Sequence, residues 1–285
     1  LTLNAGYHKM EDTASDTSSP NSQNDKWNTK NIGGVYSFGA RTARAQADLA
    51  VNYEELRYDN SARLANGERL NKDKERDTKS VRATGYYGIA PKTKALIEGR
   101  YSDFDYKSNT NRDSTNKALL LGVTWDATAK TTGSVKVGRE KKSYDKSFYK
   151  DKSMNMWEAA VAWAPRTYST FDFKLRRGFD EGDNYYEYDS GEHISSSIKT
   201  TAYHAGWKHQ WMDRLSSNLT FSHTDRKYQN TDRDDKIKQY GLGVTYEMRR
   251  WLDVGLGYTH RDNDSNLASR DYKRNIYALT FNASL

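Results

Sequence analysis

The 285-residue sequence has no cysteine and only three prolines. The first absence excludes a disulfide scaffold and any thiolate metal site. The second leaves long hydrogen-bonded ladders possible, because each proline lacks the N–H that a ladder needs. Pro20, Pro91 and Pro165 all fall in stretches that read as links between strands. No run approaches the roughly 20 consecutive apolar residues of a membrane helix, and mean hydropathy is -1.03. A helical membrane protein is therefore excluded. A transmembrane β-barrel is not, because only every second residue of its strands meets lipid. No segment is dominated by charge of one sign: 45 basic and 38 acidic residues are intermixed, for a net +7. Without a long basic run, nucleic acid is not an expected partner. No signal peptide is recognisable, and Leu1 already stands in an alternating stretch, so the N-terminus reads as processed or truncated.

Aromatic residues are abundant, with 21 Tyr and 7 Trp, which argues against a disordered chain. They sit within a period-two pattern. Tyr240, Leu242, Val244, Tyr246 and Met248 alternate with Gly241, Gly243, Thr245 and Glu247. Leu252, Val254, Leu256 and Tyr258 alternate with Asp253, Gly255, Gly257 and Thr259. Strict alternation of this length predicts strands with one apolar and one polar face. The same reading gives strands near 1–10, 29–38, 43–58, 77–88, 94–107, 115–126, 131–144, 153–164, 169–180, 194–208, 214–228, 235–248, 251–264 and 271–285.

The links between these strands alternate in length. Short turns are expected at 39–42, 89–93, 127–130, 165–168, 209–213 and 249–250. Longer polar links are expected at 11–28, 59–76, 108–114, 145–152, 181–193, 229–234 and 265–270. Outer-membrane barrels have this rhythm, with short periplasmic turns and longer outside loops. Tyr36, Phe38, Tyr86, Tyr87, Trp125, Trp163, Trp207, Trp211 and Trp251 lie beside the short turns, where an aromatic girdle belongs. The strands are also longer than the five or six residues usual in a soluble sandwich. The expectation is an all-β fold spanning residues 1–285 as one domain. It is a transmembrane antiparallel up-and-down β-barrel of about fourteen strands, more if residues precede Leu1. With both ends on the short-turn side, the first strand is expected to close on the last, since lipid cannot satisfy an open edge.

Little chemistry is written in motifs. No catalytic motif surrounds the six histidines, His8, His193, His204, His209, His223 and His260, which read as interfacial or loop residues. The acidic clusters 232–235 and 262–264 read as solvated outside loops rather than Ca²⁺ sites, lacking glycine-spaced ligands. No enzyme, cofactor or metal is expected. The functional content lies on the inward parity. The expected substrate path is lined by Arg44, Asp48, Arg82, Glu98, Arg100, Lys136, Glu140, Glu158, Asp172, Lys174, Arg176, Arg226, Asp253, Arg261 and Arg274. A barrel of this size approaches those that leave an aqueous channel, in which wall charges tune what passes. The same charges would also stiffen the wall by pairing between strands.

Residues 155–285 resemble the family of β-barrel porins associated with exopolysaccharide secretion loci. The resemblance rests on 163–165 (WAP), 171–177 (FDFKLRR), 233–235 (RDD), 240–246 (YGLGVTY), 258–266 (YTHRDNDSN) and 271–275 (DYKRN). It implies a bacterial outer-membrane component, surrounded by lipid and lipopolysaccharide, that helps export a polysaccharide together with periplasmic and inner-membrane secretion proteins. Two rival readings remain: a general diffusion porin, which an inward-folded 11–28 or 59–76 link would favour, and a structural sheath around a partner protein.

Overall fold

A computed structural model describes residues 1–12, 24–40, 42–59, 69, 71–128, 130–187 and 191–284. The strands are β1 (Thr2–Glu11), β2 (Lys26–Phe38), β3 (Ala45–Tyr58), β4 (Arg76–Ala90), β5 (Thr93–Tyr106), β6 (Ser114–Thr128), β7 (Thr131–Tyr144) and β8 (Lys152–Arg166). They continue as β9 (Ser169–Glu181), β10 (Asn184–Glu187), β11 (Gly191–Ile194), β12 (Ser197–Met212), β13 (Leu215–Tyr228), β14 (Asp234–Arg249), β15 (Leu252–Ser265) and β16 (Tyr272–Ala283). Fourteen of them form one antiparallel up-and-down sheet in chain order. The other two, β10 and β11, pair only with each other, as a small hairpin that fills the link expected at 181–193 and takes in Ile194, the first residue of the next expected strand.

The alternating residues form rows across the strands. On one face Leu219, Leu242, Tyr258 and Tyr277 stand opposite one another in register, and Ser217, Val244, Leu256 and Leu279 form another such row. Leu219, Leu242, Tyr277, Leu256 and Leu279 are all exposed, as a lipid-facing surface requires. The intervening rows are polar: Asn218, Gly243, Gly257 and Ala278, then Ser216, Thr245, Gly255 and Thr280. At about 3.4 Å per residue a fourteen-residue strand such as β15 runs about 48 Å. Tilted by about 40°, it rises well beyond the roughly 25 Å apolar band of an outer-membrane barrel. The long-link ends thus stand outside the membrane.

The short turns are tight. Register shifts fall beside five of them, after Gly88, Trp125, Trp163, Gln210 and Glu247, as bulges do at barrel rims. Gly39, in the β2–β3 turn, takes φ +95°, where a side chain would be strained. Pro165 lies within β8 rather than in a link, but in the bulge between Trp163 and Arg166, where no ladder needs its N–H. Pro20 lies outside the described residues.

Two features depart from expectation. No ladder joins β1 to β16 among the described residues, so the expected seam is not formed and the sheet has two edges. Both edge strands are exposed along nearly their whole length. The second departure is at β9. Its ladder with β8 ends at Arg177, whereas its ladder with β12 continues to Glu181. Beyond Arg177 the strand leaves β8 and turns inward. Phe179 has outward parity, yet only 4% of it is exposed.

Candidate functional site in the barrel interior

At mid-height on the concave face, four of the expected lining residues form one cluster. Arg100 forks onto Glu158, Nη1 to Oε1 at 2.6 Å and Nη2 to Oε2 at 2.7 Å. Its Nε donates to Glu98 Oε1 at 2.5 Å. Lys136 Nζ lies 2.7 Å from Glu158 Oε2 and 3.4 Å from each Glu98 oxygen. These contacts link β5, β7 and β8 over the intervening β6, so the wall curls toward this side. Leu120 of β6, opposite Glu98 in register, is fully buried. Two acids and two bases make the cluster neutral, and Arg82 opens onto the same cavity.

Above it, the inward turn of β9 closes part of the lumen. Glu140 Oε2 accepts from Phe179 N at 2.8 Å, and Arg176 Nη2 donates to Asp180 Oδ1 at 2.5 Å. Glu181 takes two inward-facing partners, Tyr106 Oη at 2.7 Å and Lys142 Nζ at 2.6 Å. The links then interlock. Arg112, in the β5–β6 link, stacks over Tyr106 at 4.4 Å and donates to the carbonyls of Asp73 and Gly182. Lys74, in the β3–β4 link, lies 2.6 Å from Asp183 Oδ1 and 3.9 Å from Asp25 Oδ2, and Asn71 Nδ2 donates to Asp25 Oδ1 at 2.8 Å. Burial alone would raise the Asp183 carboxyl. The charge and hydrogen bond of Lys74, with Arg233 and Arg270 behind, hold it down at about 2. Burial pulls the Lys74 ammonium down, but Asp183, Tyr58 and Asp25 outweigh it and raise it.

Between this closure and the wall of β13–β16 lies a polar cavity of about 260 Å³. Among the described residues it is lined by Arg226, Arg233, Arg261 and Arg270 and by Asp12, Asp183 and Asp235. Arg233 forks onto Asp235 at 2.5 to 3.1 Å and stacks over Tyr228 at 4.1 Å. Asp235 also accepts from Ser265 Oγ at 2.7 Å. Asp235 is thus a buried partner, not the solvated loop acid expected from 232–235, because Arg233 turns back onto it.

The expected lining residues fall into groups. Glu98, Arg100, Lys136 and Glu158 meet in the neutral cluster; Glu140 and Arg176 flank Phe179; Arg226 and Arg261 line the arginine cavity, with Arg274 opposite Arg261 in register. Asp48 is hydrogen-bonded by Tyr86, so Tyr86 faces inward and leaves the girdle. Asp172 lies 3.0 Å from His204 Nε2. Lys174 and Asp253 stay on inward rows without joining these clusters. Arg44 departs. It precedes β3, and its guanidinium lies 4.8 Å from the ring of the exposed, outward Tyr87, so it belongs to the outer rim, not the lumen. Of the remaining girdle residues Tyr36, Phe38, Tyr87, Trp163, Trp211 and Trp251 are exposed beside short turns, while Trp125 and Trp207 are half-buried.

Sequence parity missed Lys74, Asp183, Arg112, Arg233 and Arg270, which sit in links where no period applies. Lys142 and Tyr106 were in reach, since they continue the inward rows of Glu140 and Arg100.

The one-layer sheet, the lipid-facing rows and the charged interior define an outer-membrane β-barrel of porin or transporter type. The chain belongs to the family described as "Putative beta-barrel porin 2", which it matches over residues 1–284, and this places it in the bacterial outer membrane. No curated protein matches it. Among solved structures, it is similar to the FrpB iron transporter from Neisseria meningitidis. For the F5-1 variant the TM-score is 0.53 at 11% identity, covering 93% of this chain and 51% of that one. For the F3-3 variant it is 0.50 at 12% identity, covering 87% and 46%. The chain thus spans about half the length of these structures, and the likeness is one of fold.

Proposed function

We propose that the protein is an outer-membrane conduit for an extracellular polysaccharide, which diffuses through the barrel lumen and is delivered by periplasmic secretion proteins. The observation that carries this reading is the make-up of the β13–β16 wall. Between Asp253 at the short-turn end and Arg226, Arg261 and Arg274 at the long-link end, its inward rows are built mostly from Ser, Thr, Asn and Gly, with Thr220 and Asn218 lying over Gly241 and Gly243. Such a wall offers many weak hydrogen bonds to a hydroxyl-rich polymer and no deep holding site, which lets a chain both enter and leave. The facing wall keeps its charges paired, so they stiffen the path without trapping the cargo.

One observation favours a general diffusion porin instead. Asn71, Lys74 and Glu75 of the 59–76 link are buried at the long-loop end, as an inward-folded constriction loop would be. Single-channel conductance of the refolded protein in a planar bilayer separates the two. Steady conductance that polysaccharide fragments block supports the conduit. Conductance indifferent to polymers but sensitive to small solutes supports the diffusion porin. Absence of conductance would sink both.

A further inference from the structure

The lipid-facing surface carries charge where its apolar rows end, toward the long links. On β6, β7 and β9 the last outward apolar residues on that side are Leu119, Val137 and Leu175, and the next outward residue is a cation each time: Lys117, Arg139 and Arg177. Register decides what each cation faces across its two ladders. Lys117 stands opposite Tyr101 and Lys141, Arg139 opposite Leu119 and Asn155, and Arg177 opposite Trp157 and Thr201. None of these positions holds an acid. Farther round the same boundary the pattern is the reverse, with Lys79 opposite Asp103, and Lys238 and Lys273 on either side of Asp262. Like charges directly opposite, as at Lys117 and Lys141, weaken a ladder. Lys141 is drawn aside to Asp151 at 3.0 Å. Two of the cations lie beside aromatic rings, Lys117 at 5.7 Å from Tyr101 and Arg177 at 4.6 Å from Trp157, and Arg139 donates to Ser153 Oγ at 3.3 Å.

We propose that this arc of β6–β9 is a binding site for the phosphorylated glycolipid of the outer leaflet, the anchor of lipopolysaccharide. The long links lead outside, so the arc lies at the depth of the outer headgroups. A guanidinium forks onto a phosphate and an ammonium meets it as a point charge. Strand spacing and rise put the Arg139 and Arg177 backbones about 12 Å apart, a separation that a disaccharide with a phosphate at each end bridges. The acyl chains would then run over Leu119, Leu121 and Val137, each more than half exposed. Tyr101 and Trp157 stand between chains and headgroup, the depth that amphipathic rings prefer. A bound phosphate supplies this arc with the negative charge that Asp103 and Asp262 supply elsewhere. The site faces lipid and not the lumen, so it stands whatever the barrel carries.

The test is native mass spectrometry of the refolded full chain in detergent, titrated with bisphosphorylated lipid A, with lipid A stripped of its phosphates, and with phosphatidylglycerol. Bisphosphorylated lipid A is expected to bind about tenfold or more tighter than either of the others, and more weakly as salt rises. Inorganic phosphate at equal concentration, which brings the charge without the chains, should not displace it. In the triple variant Lys117→Gln, Arg139→Gln, Arg177→Gln binding should fall about tenfold or more. The matched variant Lys79→Gln, Lys238→Gln, Lys273→Gln removes the same charge where cations face acids, and should bind as the wild type does. Retained gel-shift on heating shows that the variants are folded, and the comparison of lipids on the wild type needs no variant. Equal affinity for the stripped lipid or for phosphatidylglycerol, or displacement by inorganic phosphate, would overturn the proposal. So would undiminished binding by the folded arc variant, or an equal loss in the matched one, since attraction would then be diffuse.

Discussion

Replacing Asp183 with Asn removes the acid that fastens Lys74 in the mouth. Breaking a fully buried pair from one side costs about 3–5 kcal/mol. Here the Asp183 side chain keeps 40% of its surface exposed, and Asp25 remains 3.9 Å from Lys74. Holding the Asp183 carboxyl at about 2 rather than 3.8 corresponds to about 2.5 kcal/mol. Solvent screening at so exposed a carboxylate brings that to about 1 kcal/mol, or roughly a fivefold change in how often the segment opens. The amides of Lys74 and Glu75 report on it, because they donate to the carbonyls of Asn71 and Lys72. Their hydrogen exchange in the folded barrel should quicken about fivefold in the variant, and the Lys74→Met, Asp183→Asn pair should be less than additive. The pH dependence has a fixed sign. A depressed carboxylate stabilises fully above the ordinary carboxylate range and loses its contribution as pH falls toward about 2, so the wild type, corrected for intrinsic exchange, should approach the variant only in acid. Exchange at both amides unchanged by the substitution would refute the reasoning, since the mouth would then be held by packing and not by this pair.

Three further outcomes follow from the wall. Glu158→Gln turns the neutral cluster net positive, so the reversal potential across a KCl gradient should move toward anion selectivity; no movement would mean that ions do not pass this cluster. Leu242→Arg places a charge in lipid and should lower unfolding stability by about 2–4 kcal/mol, whereas Thr220→Arg, on the inward side, should cost under about 1 kcal/mol; urea titration in vesicles compares them. A Cβ on Gly138 would collide with the Leu119 carbonyl oxygen and sit 2.8 Å from Leu120 Cα, while one on Gly99 meets nothing within 4 Å. Gly138→Ala should therefore destabilise by about 1–3 kcal/mol and Gly99→Ala should not, as read from the same urea midpoints.

Strands and links were legible because a wall one residue thick writes its two faces into alternate positions. Leu219, Leu242, Tyr258 and Tyr277 share a row for the same reason that Glu98, Arg100, Lys136 and Glu158 share the interior. Parity fails where the backbone stops being flat against its neighbour. Past Arg177, β9 loses β8 and takes Phe179 and Glu181 inward against their count. It fails again at strand ends, where Arg44 swings onto Tyr87. Link residues carry no period at all: a charge-rich stretch such as 71–75 reads as solvated until a partner as remote in the chain as Asp183 is placed beside it. The β1–β16 seam was out of reach for another reason, since alternation says which way a residue faces and nothing of the curvature of the sheet.

Every ladder of the large sheet joins strands that follow one another along the chain, and the single insertion, β10 with β11, pairs only with itself. Among the described residues the wall is thus a string of hairpins with no long-range ladder to disturb. Removing or duplicating one hairpin leaves the ladder register of the others intact and changes the girth, along with whatever that hairpin gives to the interior clusters. Pore width in this architecture is a quantity that gene duplication can step up or down in units of two strands without breaking any other ladder.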